Sequence, residues 1–443
     1  MSQETTKKQK IYRPHPVSGY PEWLPEHRMV ELEWIETIRN IFESYGFCNI
    51  ETPSIEELDV LLAKGATDKE IYTLARLQAD EDDKTDARLG LHFDLTVPFA
   101  RYTAQHFNDL VFPFKRYQIQ RSWRGERPQK GRFREFYQCD IDVINIDSLP
   151  LHFDAEMPAI MYEVYNALNL PPVEIRLNNR KILVGYLQEL GITDLAGTTR
   201  NLDKLDKIGA DKVLKQLQEE VGLSYDIAEK ALALATIKAK NSEFADAIRS
   251  LGIINELLEE GIEELSFVMN NLSHLPEDDI KVDLSIVRGL DYYTGTILEA
   301  YFKDDPKFGA IGSGGRYDDL AGAFINKKLP GIGISIGLSR LFSKMLDMGL
   351  IKNSKKTPAQ IMVVLPDEDR RKEAAETASL LRERGYKVEL FHSAIKLKRQ
   401  LSYAERKGID YVWFPPFKDG QAHEVKDMRT GDQKHSDPVI WEI

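Results

Sequence analysis

RSWRGERPQKGRFREF (121–136), running on through YQCDIDVI to residue 144, is the stretch on which the reading of this chain turns. Arginines at 121, 124 and 127 precede a Pro–Gln–Lys–Gly segment, and arginines at 132 and 134 follow it. Pro and Gly favour a turn there, so the segment reads as a hairpin with arginines on both arms. From Lys115 to Arg134 eight cationic residues stand against Glu126 alone, a local charge of +7 in a chain whose net charge is −12. Most such runs are solvated faces. Here Phe114, Tyr117, Trp123, Phe133 and Phe136 interleave the charges. Each guanidinium fork can pair two phosphate oxygens at once. A clamp for a polyphosphate is the better reading.

The returning arm alternates as a strand should. Phe133, Glu135, Tyr137, Cys139, Ile141 and Val143 fall on one face, and Arg134, Phe136, Gln138, Asp140 and Asp142 on the other. The second face is too polar for a core but suits the floor of a polar ligand site.

Outward from this hairpin the fold class reads as α/β (α+β). Residues 26–45 carry Val30, Trp34, Ile38, Ile41, Phe42 and Tyr45 at helical spacing, and Gly46 stops the helix. FCNIETPSIE reads as a short strand, 76–90 as an acidic loop, and 91–103 and 111–121 as extended or mixed. Helices are expected over 152–169 and 180–190, and several more between about 194 and 275. Strand signals return at 280–302, a glycine loop at 309–319, and a strand running into a helix at 329–346. After a polar linker at 350–358 the pattern is β-α-β-α-β, a second domain with a parallel core.

At 443 residues the chain suggests two to four domains. No apolar run approaches the length that spans a bilayer. MSQETTKKQK is polar, unlike a secretory leader, and reads as a disordered tail over 1–10. Two cysteines, Cys48 and Cys139, point to a reducing compartment, the cytoplasm. The acidic balance argues against non-specific coating of nucleic acid.

The hairpin RSWRGERPQKGRFREF as a whole resembles motif 2 of class II aminoacyl-tRNA synthetases in its histidyl form. Three further segments resemble that family. RGLDYY (288–293) and GSGGRYDDL (312–320) look like its two histidine-specific segments, and GISIGLSRL (333–341) looks like motif 3. By themselves RGLDYY reads as a strand end and the glycine cluster as a turn. It is neither a P-loop nor a dinucleotide fingerprint. YGFCNIETPSIE resembles the degenerate motif 1, HFDLTVPFARY (92–102) the substrate-amine segment, with His92 where the family has arginine, and KLKRQLSYAERKGIDYVW with EVKDMRTGDQ the anticodon-binding domain.

The resemblance implies a class II antiparallel-sheet catalytic domain over 11–190 and 277–349. A helical insertion at 191–276 interrupts it, and a C-terminal α/β anticodon-binding domain occupies 359–443. It implies activation of L-histidine with ATP and Mg2+, transfer to tRNA(His), no organic prosthetic group, no membrane, and a homodimer in the cytoplasm.

The residues carried over fall into three groups. Arg124 and Arg288 are the catalytic cations. Histidine is held by Asp94, Leu95, Thr96, Arg124, Gln138, Asp142, Arg288, Tyr292, Tyr293 and Tyr317. Asp142 and Tyr293 serve the imidazole, and Asp94, Thr96 and Gln138 the α-ammonium. ATP is held by Arg124, Glu126, Arg132, Phe136 and Arg340. Phe136 and Arg340 sandwich the adenine, and Glu126 holds Mg2+. Gln129 and Lys130 touch tRNA. The spacing supports one part of this independently: Phe136, Gln138 and Asp142 share a strand face. Two alternatives are a synthetase-like regulatory subunit that binds histidine without charging tRNA, and a class II synthetase for another amino acid. Both would lack RGLDYY.

Overall fold

The computed structural model describes residues 12–63, 71–76, 88–241, 243–287, 293–353 and 355–443. The chain forms two compact units, one comprising residues up to Pro21 with Trp34–Asp347, the other Glu22–Glu33 with Met348–Ile443.

The helix expected at 26–45 is α1, Pro25–Ser44. Gly46 ends it at φ +79°, a left-handed conformation that costs glycine nothing. The chain then runs through β1 (Cys48–Asn49), β2 (Ile55–Glu57), α2 (Leu58–Leu61) and β3 (Leu89–Leu91) into α3 (Thr96–Gln105). Of the stretch 91–103, read as extended or mixed, the part from Thr96 on is helical. Asp94 Oδ1 accepts the backbone N–H of Val97 at 3.1 Å, and Pro98 lies in the first turn, where its missing N–H costs nothing.

Two ten-residue strands follow, β4 (Phe114–Trp123) and β5 (Glu135–Ile144), then α4 (His152–Ala167), β6 (Val173–Asn179) and α5 (Arg180–Glu189). The next region is mainly helical: α6 (Leu195–Leu202), α7 (Leu205–Ile208), α8 (Ala210–Glu220), α9 (Tyr225–Ala235), the two-residue β7 (Lys238–Ala239), α10 (Glu243–Arg249) and α11 (Glu256–Asn271). Helices α5 and α11 approach through a pair of glycines. A Cβ on Gly185 would lie 2.6 Å from the backbone N of Leu258, and one on Gly261 would lie 2.7 Å from that of Ile182.

The sheet is completed by β8 (Ile280–Asp283), β9 (Thr296–Phe302), β10 (Gly312–Tyr317) and β11 (Gly331–Ile336), after which α12 (Leu338–Asp347) begins. Its order is β1-β4-β5-β11-β10-β9-β6-β8-β7, antiparallel except for β1 with β4 and β6 with β8. The expected glycine loop is therefore a central strand. A side chain at Gly314 would overlap the carbonyl of Gly333 on β11, so these glycines permit close backbone approach.

One face of the central strands is apolar. Cys139, Ile141 and Val143 on β5 lie opposite Ile336, Ile334 and Ile332 on β11, all buried, and α4 packs against β11. The opposite face is the polar one.

In the second unit β12 (Ile361–Val363), α13 (Arg371–Glu383), β13 (Val388–Leu390), α14 (Leu397–Lys407) and β14 (Tyr411–Phe414) form the expected parallel core. Ile361, Val363 and Trp413 pack with α13, while Met362, Val412 and Phe414 pack with α14, so alternate residues serve opposite faces. Two antiparallel strands that the sequence reading lacked, β15 (Glu424–Asp427) and β16 (Gln433–His435), extend the sheet.

Candidate functional site

Strand register assembles the polar floor. Arg116, Gln118, Gln120 and Ser122 on β4 lie opposite Asp142, Asp140, Gln138 and Phe136 on β5. On the other side Gly333 and Ser335 of β11 lie opposite Asp142 and Asp140. A cleft over this floor is lined by Thr96, Asp140, Asp142, Tyr293, Tyr317 and Ser335.

The end of the floor at Asp142 is a fixed network. Arg116 Nη2 lies 2.6 Å from Asp142 Oδ2, and the Tyr317 hydroxyl donates to Asp142 Oδ1 at 2.9 Å. The Arg116 guanidinium also stacks 4.3 Å from the Phe99 ring centroid. Burial pushes the Asp142 carboxyl up to about 6, while Arg116 and the Tyr317 hydroxyl hold it down. Burial, then Asp142, raise the Tyr317 hydroxyl well above its ordinary value. Arg116 was counted with the phosphate-facing cations of the hairpin run; the structure instead places it in the floor, fully buried. Its neighbour Lys115 points to the other face, 2.6 Å from Glu156. The +7 run is thus divided by strand alternation.

Gly333 makes room for this network. A Cβ there would overlap the Asp142 carboxylate and lie 2.9 Å from the carbonyl oxygen of Ile141. Gly333→Ala is expected to cost about 1–3 kcal/mol of stability through overpacking. It should also raise KM for the ligand of Asp142 while leaving KM for a nucleotide bound at the hairpin unchanged. Steady-state kinetics that show both values unmoved would separate Gly333 from the site.

Asp94, Leu95 and Thr96 lead into α3. Asp94 is buried, and burial raises its carboxyl, against the N–H of Val97 and the charge of Arg124. The Leu95 side chain is fully buried and its carbonyl lies 3.4 Å from Arg116 Nη2. Gln138 donates to the Ser335 hydroxyl at 2.8 Å. His92 is fully buried, with Nδ1 3.1 Å from the carbonyl of Pro53 and Nε2 2.7 Å from that of Arg121. It ties the segment before β2 to β4. Burial lowers its pKa, and the two carbonyls and Asp94 oppose that.

The hairpin stands at the other end of the floor. Arg124 donates from Nε to the carbonyl of Phe93 at 3.1 Å, and its guanidinium lies 5.1 Å from the Phe136 ring centroid. Arg132 pairs with Glu126 at 3.4 Å. At the tip, Gln129 and Arg132 bridge backbone to backbone, and Gly131 takes φ +69°. Lys130 is 71% exposed and lies 3.2 Å from Asp347. Arg340 stacks 4.3 Å from the Phe308 ring centroid and donates to the carbonyls of Gly131 and Phe308. Burial, with Arg132 nearby, lowers Arg340 to about 10. Phe136 and Arg340 thus each already have a stacking partner. Phe308 carried no signal in the sequence reading.

Arg288 and Tyr292 lie outside the described residues. Of the others, Thr96, Asp142, Tyr293 and Tyr317 line one cleft, with Asp94 and Gln138 beside it. Arg124, Glu126, Arg132 and Phe136 gather at the hairpin. Arg116 and Asp140 were missed as site residues. The alternation that revealed the polar face of β5, applied to 114–123, would have found Arg116.

The family model described as "Histidyl-tRNA synthetase" matches residues 19–341, and that described as "Anticodon binding domain" matches 360–437. The histidine–tRNA ligase of Thermobifida fusca (strain YX) is 57% identical over 98% of this chain and 99% of its own. That of Micrococcus luteus is 46% identical over 96% of this chain and 95% of its own. The crystal structure of histidyl-tRNA synthetase from Nostoc sp. PCC 7120 superposes with a TM-score of 0.85 at 37% identity, covering 96% of this chain and 97% of that one.

Proposed function

The chain belongs to the histidyl-tRNA synthetase family, and on that premise we propose that its reaction takes place on the polar floor between the arginine hairpin and Asp142. The enzyme is a histidine–tRNA ligase. It joins the histidine carboxylate to the α-phosphate of ATP, expels pyrophosphate, and passes the histidyl group from the adenylate to tRNA(His), releasing AMP.

Two anions must meet in the first step, so the protein's part is positioning and charge stabilisation. Arg124 bridges the carboxylate and the α-phosphate, with Arg288 assigned beside it from RGLDYY alone. Arg132 receives the ATP tail, and Phe136 and Arg340 hold the adenine once Phe308 yields its place. Asp142, Tyr293 and Tyr317 with Tyr292 read the imidazole, which offers one N–H and one lone pair when neutral. Asp94, Thr96 and Gln138, with the backbone of Leu95, receive the α-ammonium.

Among the described residues no cluster of acidic, His or Cys side chains could hold a metal by itself. Glu126 therefore fits Mg2+ only as one ligand to an ion carried by the triphosphate. Two further readings follow from the family: the chain works as a homodimer, and it works in the cytoplasm. No helix among the described residues is long and apolar enough to cross a membrane.

The observation that carries this reading is a group of buried acceptors on or beside this floor that have no partner among the described residues, Asp94 Oδ2, Gln118 Oε1, Gln138 Oε1 and Asp140 Oδ1. Such groups are costly unless a ligand completes them. The test is ATP–pyrophosphate exchange with each of the twenty amino acids. Histidine alone should support it. A chain that binds histidine but exchanges nothing would be a regulatory paralogue.

The same assay separates the tip of the hairpin. The Lys130–Asp347 pair is exposed and contributes little to stability. Lys130→Ala should leave exchange near wild type, raise KM for tRNA, and reduce the salt slope of its logarithm by about one. Equal losses in exchange and charging would move Lys130 from tRNA to ATP.

A further inference from the structure

The geometry points to Asp140 as a substrate-binding residue that completes, with Asp94, Thr96 and Gln138, the acceptor cage for the α-ammonium group of histidine. The proposal rests on the placement of histidine over this floor.

The two neighbouring carboxylates on β5 differ in what they still lack. Both oxygens of Asp142 are engaged, one by Arg116 and one by Tyr317. Asp140 is 2% exposed, lines the cleft, and its Oδ1 has no hydrogen-bond partner among the described residues. Among the described residues Asp94 Oδ2, Gln138 Oε1 and Gln118 Oε1, the last opposite Asp140 in the register, are further orphan acceptors on or beside this floor. An ammonium group has three N–H donors and no acceptor, so it suits a site rich in orphan acceptors.

Position agrees with this chemistry. Gln138 and Asp140 are consecutive residues of one face of β5, and Ser335, which accepts from Gln138, lies opposite Asp140 in the register. Asp94 is close enough to push the Asp140 carboxyl upward. Asp140 therefore stands between the amine end of the floor and the Asp142 network.

Charge agrees as well. Asp94, Asp140 and Asp142 are three buried carboxylates, and Arg116 is the guanidinium that acts on both Asp140 and Asp142. Arg124, at the hairpin, acts on Asp94. Among the described residues no third Arg or Lys acts on this trio, and the substrate brings a cation. Burial accordingly holds the Asp140 carboxyl up at about 7, opposed by Arg116 and the Ser335 hydroxyl and reinforced by Asp142 and Asp94. The bland alternative is a carboxyl that is simply buried in its neutral form. Asparagine has the same shape without the charge, so it distinguishes the two.

The test uses the full-length enzyme, pyrophosphate exchange, and two competitors of histidine. Histidinol keeps the ammonium and the ring; 3-(imidazol-4-yl)propionate keeps the ring and carboxylate but has no ammonium. Asp140→Asn should raise KM for histidine and Ki for histidinol about 10- to 100-fold, the loss of one charge-assisted contact. Ki for the propionate and KM for ATP should stay within about twofold. If Asp140→Asn does not fold, Asp140→Ser is measured in the same way. Unchanged constants for histidine and histidinol would overturn the proposal, leaving Asp140 a neutral buried acid. Equal weakening of all three imidazole compounds would also overturn it, by placing Asp140 at the ring. Asp142→Asn serves as the reference. Should it weaken histidine while Asp140→Asn does not, the site reading survives and only the ammonium cage fails. If neither variant affects any of the three compounds, histidine binds elsewhere.

Discussion

Arg116→Met is expected to destabilise the enzyme by about 3–5 kcal/mol, measured by urea denaturation beside the wild type. Arg116 is fully buried, and Asp142, its partner at 2.6 Å, is 4% exposed. Removing one member of such a pair leaves the other charge without compensation in a medium that solvates it poorly. Methionine keeps much of the arginine stem's volume and its contact with Phe99, so the loss is electrostatic rather than a cavity. The Asp142 carboxyl, already raised by burial, then loses the cation that holds it down. It should take up a proton and cease to be an ionic acceptor for imidazole, so KM for histidine should rise with the stability loss.

A double substitution separates the two consequences. Replacing a whole buried pair by apolar groups is often neutral. Arg116→Met with Asp142→Leu should therefore recover most of the stability and none of the histidine binding. A loss below about 1 kcal/mol in the single variant would show that water reaches the pair, as it does for surface ion pairs.

The placement of Arg116 shows what the sequence made legible and why part of the site was not. Strand β5 was readable because its two faces differ in polarity, Cys139, Ile141 and Val143 against Gln138, Asp140 and Asp142. The same rule applied to β4 would have assigned Arg116, Gln118 and Gln120 to the floor. Cation density dominated that reading, and density does not carry direction. GSGGRY was read as a loop because glycines usually mark turns. It became strand β10 because β9 and β11 press against it and leave no room for side chains. The first turn of α3 was hidden for a different reason. Its start is set by Asp94, whose capping oxygen and whose orphan oxygen serve two purposes at once.

Contacts between residues far apart in sequence were beyond single-sequence reasoning. Phe308 against Arg340 and Tyr317 against Asp142 are examples. Arg288 marks the opposite case. Its role is legible only in the RGLDYY segment.

Arg124→Lys should slow histidine-dependent pyrophosphate exchange by about 10²–10³, the usual consequence of losing one preorganised donor at a developing charge. The expectation rests on how little else holds Arg124. Among the described residues its side chain donates one hydrogen bond, to the carbonyl of Phe93, stacks on Phe136, and acts on Asp94 through its charge. Stability should therefore change by no more than about 1 kcal/mol, in contrast to Arg116. Lysine keeps the charge but loses the planar fork that can face a carboxylate and a phosphate together. If charge alone matters, the variant will exchange at close to the wild-type rate, and Arg124 will be an electrostatic neighbour rather than a bridge between the two reacting anions. If geometry matters, kcat falls while KM for histidine and ATP moves only a fewfold, the signature of a contact made chiefly in the transition state. Supplying preformed histidyl-adenylate bypasses the step in which the two anions must be brought together. Transfer to tRNA should then recover in Arg124→Lys, and a variant still blocked at transfer would place this arginine in both halves of the reaction.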